Sequence, residues 1–263
     1  TEDGAYDIDI VCNFVNLRRE NQTQFSLKYD LGKVVKRYSK AQSMSNEPEE
    51  SKRCWTLKYA DEDSFHIDIL PSVPFNEKDD GYIAITDKTK NNYFDKSSDW
   101  ETSNPKGYAQ WFRDISNYSI YQERIAKRFY ASIEKVPEYK VRTPLQRIVQ
   151  ILKRHAEVCF EDDIEHKPSS IIITTLVAEQ YQSACLTNNN FLDVVIYIIE
   201  HLRDGVEIRN GKPCVYNPVN NAEILSGKWD KDSSYFKAFE TWLKQLELDF
   251  NIGNNDLSYS DKI

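Results

Sequence analysis

The chain has 263 residues, 40% hydrophobic and 13% aromatic, enough for one large domain or two fused lobes. Its net charge of −8 argues against duplex DNA or RNA as a substrate, because a long nucleic-acid footprint shows as a basic surface. Nucleotides stay open, since metal ions and a few Lys or Arg neutralise a triphosphate locally.

Residues 6–15 read as a strand. Within it, Asp7 and Asp9 are two apart and so share a face. Residues 24–40 read as a helix with Phe25, Tyr29, Leu31, Val34, Val35 and Tyr38 as its apolar set. Residues 41–52 are polar and expected to loop. Cys54 to Tyr59 and Phe65 to Leu70 read as two strands joined by the Asp-rich turn 60–64. The second of them carries Asp68, with His66 on the same face. Ile83 to Thr86 is a further short strand, and 87–106 a polar loop.

Helical spacing takes over from 108 to 134. Thr143-Pro144 supplies an N-cap and a proline at the first helical position, opening a helix with Leu145, Ile148, Val149, Ile151 and Leu152. Further helices are expected at 169–184, 190–202 and 233–249. Strands first and helices later give an α+β architecture, with a strand-rich lobe over 1–112 and a helical lobe over 113–263. Trp55, Trp229 and Trp242 are expected in the core.

No Cys-x-x-Cys spacing links the five cysteines, which argues against a zinc site and for reduced thiols in a cytoplasmic protein. The longest apolar stretch, Ile171 to Ala178, is far shorter than the roughly 20 residues a bilayer needs, so no membrane partner is expected. No signal peptide is visible. Because the first residue is Thr1 and the first acids follow closely, residues upstream are expected to exist.

Three acids on neighbouring strands make a cage of oxygen ligands suited to a divalent metal. Taken alone, paired acids at a strand end are more often solvated or salt-bridged. The surrounding segments add to them. Tyr6-Asp7-Ile8-Asp9, Arg53-Cys54-Trp55-Thr56-Leu57 and Phe65-His66-Ile67-Asp68-Ile69-Leu70-Pro71 resemble the palm of the cGAS/DncV-like nucleotidyltransferases (CD-NTases), within the DNA polymerase β-like superfamily. Ser103-Asn104-Pro105-Lys106-Gly107-Tyr108, Leu145 through His155, Lys167-Pro168-Ser169-Ser170 through Leu176, and Asn217-Pro218-Val219 through Trp229 resemble the bacterial branch, in the same order.

That resemblance implies a polymerase β-like palm followed by a helical lobe, with the active site in the cleft between them. It implies two Mg²⁺ ions, with Mn²⁺ as a substitute, held by Asp7, Asp9 and Asp68, the last also helping to deprotonate the attacking hydroxyl. Lys153 and Ser170 resemble the residues that contact the donor triphosphate. The substrates implied are nucleoside triphosphates, ATP first among them, and the product is a cyclic di- or trinucleotide. Its role would be that of an alarm in anti-phage defence, with a regulatory protein partner in some relatives. The family's Gly-Ser motif upstream of the first acids is absent from this sequence, and full activity is expected only with that segment. The alternatives are a nucleotidyltransferase modifying a tRNA or a protein, and a non-catalytic module of the same fold. Bland readings also stand: Lys153 as a surface charge, Ser170 as a helix cap, His66 as a packed strand residue.

Overall fold

A computed structural model describes residues 7–59, 65–76, 81–97, 99–117, 142–188 and 190–252. The chain divides into two compact units, Thr1–Gly107 and Tyr108–Ile263.

The first unit is built on strands β1 (Asp7–Asn13), β2 (Glu49–Glu50), β3 (Trp55–Lys58), β4 (His66–Pro74), β5 (Ile83–Ile85) and β6 (Glu101–Ser103), with helix α1 (Gln24–Ala41). They form one sheet in the order β2-β3-β4-β5-β6, and β1 pairs with β4 in parallel. Both β1 and β3 pair with residues 66–69, so they flank β4 on opposite sides. Beyond β3, the end of β4 pairs with β5.

Strand alternation gives this sheet two unlike faces. One carries Cys12, Phe14, Trp55, Leu57, Ile67 and Ile69, which pack on Leu31 and Val35 of α1. The other carries the acids. Helix α1 starts in a capping box: Thr23 Oγ1 accepts from Ser26 N at 2.9 Å, and Ser26 Oγ accepts from Thr23 N at 3.2 Å. Its buried stripe is Gln24, Leu27, Lys28, Leu31, Gly32 and Val35. Phe25, Tyr29, Val34 and Tyr38, expected in the apolar set, lie on the outer face and are exposed. A Cβ on Gly32 would come within 2.3 Å of the Trp55 ring, so only glycine admits this approach of helix to sheet.

Lys28 is buried in that stripe, and burial pulls its pKa down. Its ammonium donates to the carbonyls of Ser51 at 2.6 Å and Lys52 at 2.9 Å, and lies 3.5 Å from Glu50. The Trp55 indole donates to the Lys28 carbonyl at 2.9 Å. These bonds fix the segment that leads into β3.

The same segment is held from its far side by Asp87, whose side chain is 1% exposed. Burial pushes this carboxyl up. The Lys52 ammonium at 2.8 Å and bonds from Thr89 N and Oγ1 more than offset that, and the pKa falls to about 2. A carboxyl lowered on folding adds stability above its unfolded pKa and loses it as pH falls through the folded one. Asp87→Asn is therefore expected to cost about 2 kcal/mol at neutral pH. In urea unfolding the gap between variant and wild type should close as pH falls from about 4 towards 2; a gap constant over that range would contradict the assignment.

The second unit is helical. It contains α2 (Pro105–Ser116, from Tyr108 onward), α3 (Pro144–Cys159), α4 (Ser170–Thr187), α5 (Phe191–His201), α6 (Gly227–Lys231) and α7 (Ser233–Asp249). Thr143 caps α3 in a second capping box with Gln146, and Pro144 follows it. Helix α4 is central, burying Ile173, Leu176, Ala178 and Tyr181 between α3 and α5. Trp229 and Trp242 are buried as expected, and Ile151 turns out to be exposed.

The α+β class is as the sequence suggests. Several boundaries differ. The segment 41–52 includes β2, the segment 87–106 includes β6 and the start of α2, and β4 continues to Pro74. Four short strands were not anticipated: β7 (Glu207–Arg209), β8 (Lys212–Cys214), β9 (Tyr216–Asn217) and β10 (Asn220–Ile224), which pair as two hairpins. The 60–64 turn and the helical reading over 118–134 fall outside the described residues.

Candidate active site

The acids come together through the pairing of β1 with β4. In this parallel register Asp9 stands opposite Asp68, and Asp7 opposite His66. The side chain of Asp7 lies outside what is described; its backbone belongs to β1. On the other flank of β4, Thr56 of β3 stands opposite Asp68. Three adjacent strands thus place Asp9, Asp68 and Thr56 in one row on the face away from α1.

Thr56 donates its hydroxyl to Asp68 Oδ1 at 2.5 Å. This bond holds one oxygen of the carboxylate in place. Cys54 reports the same cluster: burial first, then the charges of Asp68 and Asp9, push its thiol up to about 11.

Sequence reasoning did not single out Thr56. A signal existed, because counting outward from the 60–64 turn pairs residue 56 with residue 68. Threonine is so common in strands that its composition carries no hint of a role. On the expectation from the sequence that Asp68 holds a divalent metal, Thr56→Val should lower turnover by about 10–100-fold. It should also raise the Mg²⁺ concentration needed for half-maximal rate, and Thr56→Ser should restore both. An unchanged metal requirement in a slowed Thr56→Val enzyme would leave Thr56 with a packing role only.

Behind β3, the loop 50–54 is braced by ion pairs. Arg53 binds Glu101 through Nη2, and Lys90 lies 3.2 Å from the same Glu101. Together with Lys28 and Asp87, these anchors make the backbone beside Thr56 stiff.

The two phosphate candidates belong to the second unit. Lys153 is half-buried in the middle of α3 and forms no ion pair with a described residue. Ser170 is the first residue of α4, and Ser169 holds the cap position without a side-chain cap bond. Ser170 is exposed, and no hydrogen bond joins it to Lys153. Asn104 accepts from Gly107 N at 2.9 Å and so caps α2, which makes it a structural residue.

The fold is that of a CD-NTase. The CD-NTase CdnG of Bradyrhizobium diazoefficiens, solved in complex with GTP, superposes with a TM-score of 0.66 over 93% of this chain and 71% of its own, at 16% identity. CdnC of E. coli MS115-1, solved in a CdnC:HORMA-deltaN complex, gives a TM-score of 0.53 over 92% of this chain and 68% of its own, at 10% identity. In sequence, the chain is 28% identical over 241 residues to a c-di-GMP synthase of Roseivirga ehrenbergii. That match covers 92% of this chain, which spans 60% of the length of that relative. No family model matches. The sequence match and the two superpositions each extend over more than nine-tenths of this chain.

Proposed function

We propose that the full-length protein is a divalent-metal-dependent nucleotidyltransferase that joins nucleoside triphosphates into a cyclic di- or trinucleotide. The observation that carries this reading is the row Asp9–Asp68–Thr56 on the open face of a CD-NTase-like sheet. The carboxylate oxygens of Asp9 and Asp68 are hard donors, which fits Mg²⁺, with Mn²⁺ as a substitute. When bound, the metal neutralises charge on the reacting phosphate and on the attacking and leaving oxygens.

The chain's own residues position and hold. Asp7, Asp9 and Asp68 would hold the metal, whose positive charge would let the anionic α-phosphate of one nucleotide come close to these carboxylates. Asp68, oriented by Thr56, faces the ribose hydroxyl of a second nucleotide and helps to take its proton. A bond forms from that hydroxyl oxygen to the α-phosphorus, the α–β anhydride bond breaks, and pyrophosphate leaves. A second such step closes a dinucleotide ring, and a third closes a trinucleotide ring. Lys153 and Ser170 are proposed to hold the outgoing phosphates, Lys153 as a point charge and Ser170 with the N–H groups at the start of α4. Little covalent chemistry is asked of the protein, so positioning and electrostatics carry the rate.

The wider role is part of the same proposal: an alarm signal in anti-phage defence, made in the cytoplasm and controlled by a protein partner. The solution of CdnC with HORMA supports such a partner in a protein of related fold. Among the described residues no helix is long and apolar enough to cross a membrane. Incubating the full-length protein with ATP, GTP, CTP, UTP and Mg²⁺ should yield a phosphatase-resistant product. A linear or macromolecule-linked label in its place would favour a different nucleotidyltransferase.

A further inference from the structure

Helix α1 covers one face of the sheet and the acids lie on the other, so the outer side of α1 is remote from them. In a chain of net charge −8, that outer side is aromatic and basic. Phe25 stacks on Tyr29 with ring centroids 5.6 Å apart, and Phe94 packs on Phe25 at 5.1 Å while staying 68% exposed. Lys33, Lys36, Arg37 and Lys40 are exposed and follow Tyr29 at spacings of three and four, so rings and cations form one stripe. From Phe25 to Lys40 it runs about 22 Å at the helical rise. Lys33 pairs with Asp30 at 2.6 Å, and Lys36 lies over the Trp55 ring at 5.0 Å. No described carboxylate pairs with Arg37 or Lys40. Clustered exposed rings beside unpaired cations mark a surface that binds another molecule.

The complement is on the same chain. Glu157 stands in the last turn of α3, and Glu161, Asp162, Asp163 and Glu165 follow directly. Carboxylates here face the negative end of the helix dipole, so their placement opposes local stability. Three of them are engaged: Glu157 by Arg154 at 3.2 Å, Asp163 by the His166 ring at 2.8 Å, and Glu165 by the Tyr235 hydroxyl at 3.1 Å. Glu161 and Asp162 are exposed, and no described cation pairs with them. Val158 and Ile164 stand among these charges, Ile164 with 72% of its surface exposed. Apolar side chains set among free carboxylates match rings set beside free cations. A nucleic acid or a lipid surface would answer the cations of α1 and leave the acidic corner without a counterpart, whereas a second copy answers both.

We infer that the outer face of α1 is an interface between copies of this chain and docks on the acidic corner 157–165 of a second copy. Each copy offers one surface of each kind. Two such contacts that close on each other give a dimer, and contacts that do not close so give a ring or an open chain. The acid row lies on the other face of the sheet, so assembly needs neither metal nor turnover and stands apart from the function proposed above. Sedimentation velocity of the full-length protein over a concentration series tests it. The mass should exceed that of a monomer and grow with concentration. Arg37→Glu/Lys40→Glu and Glu161→Lys/Asp162→Lys each set like charges against one another and should weaken self-association about 100-fold or more. An equal mixture of the two variants offers one native contact and one with both signs reversed, and should associate again. Phe94→Ala should weaken association about tenfold. All these side chains are exposed, and circular dichroism checks each fold. Should Arg37→Glu/Lys40→Glu fail to fold, Glu161→Lys/Asp162→Lys and Phe94→Ala carry the test.

A protein that is monomeric at every concentration overturns the inference. Retention on single-stranded RNA or on anionic lipid vesicles, lost in Arg37→Glu/Lys40→Glu, would then give the face to that occupant. Association unchanged in both charge-reversed variants also overturns it, because the copies then meet elsewhere, and so does a mixture that fails to associate. Product from a monomeric protein keeps the proposed function and removes the interface. Association that depends on Arg37, Lys40, Glu161 and Asp162 in a protein that makes no product does the reverse.

Discussion

Asp9→Asn and Asp68→Asn, singly or together, are expected to lower product formation by at least about 10³-fold while leaving the fold intact. A metal supplies several kcal/mol of charge stabilisation to phosphoryl transfer, and each 1.4 kcal/mol is about tenfold in rate. Asparagine keeps the size and one oxygen of the side chain but removes its charge, so the sheet should tolerate it. Asp9 is exposed on an edge strand and Asp68 is half-exposed, so neither substitution opens a cavity. The double variant should be no worse than the poorer single, because the acids act as one unit. Single-turnover rates with radiolabelled nucleotide measure this directly. A variant retaining a tenth of wild-type activity would remove the pair from the chemistry.

The largest expected effect on stability is elsewhere, at Trp242. This side chain is 1% exposed and packs on Phe239, with ring centroids 6.0 Å apart. Its indole N–H donates to His155 Nδ1 at 3.0 Å. With Nδ1 accepting, the proton of a neutral ring sits on Nε2, which lies 2.9 Å from Asp249 Oδ2. The bond from His155 holds the Asp249 carboxyl below its usual range. Cys159 is near this ring as well, with Sγ 3.5 Å from Nδ1. Both ring nitrogens are already engaged, so the group reads as a tie between the ends of α3 and α7. Trp242→Ala removes the ring and the donor together and should cost about 3–5 kcal/mol. That corresponds to a melting temperature lower by roughly 10 °C for a chain of this size. Leu186→Ala, at a side chain 73% exposed, should stay within about 0.5 kcal/mol of wild type. Calorimetry showing the two variants alike would mean that α7 is not held through Trp242.

Much of the fold is legible because the relevant strands and helices carry simple periods. Trp55 and Leu57 alternate with Thr56 and Lys58, and that alternation is the two-faced sheet. Thr143-Pro144 announced α3 to the residue. The buried stripe of α1 was misread because it contains Gln24, Lys28 and Gly32, whose burial depends on distant partners: Asp87 N, the carbonyls of 51 and 52, and the Trp55 ring. Aromatic residues on its outer face, Phe25 and Tyr29, then looked like core. The hairpins over 207–224 escaped notice because strands of two to five residues, largely exposed, have no apolar period to read.

The candidate site divides in the same way. Asp7, Asp9 and Asp68 stand out because charges interrupt apolar strands. That Asp9 faces Asp68 is a fact of parallel pairing across more than fifty residues, which local pattern does not contain. The place of Thr56 beside Asp68 depends on such a register too, across the 60–64 turn.

The central claim is that this sheet face performs nucleotide cyclisation. Mass spectrometry of the product made by the full-length protein from all four nucleoside triphosphates and Mg²⁺ tests it most directly. The expected result is a cyclic di- or trinucleotide that resists phosphatase, appears with pyrophosphate, and vanishes in Asp9→Asn. No such product, from folded protein that also makes none with its protein partner, would contradict it.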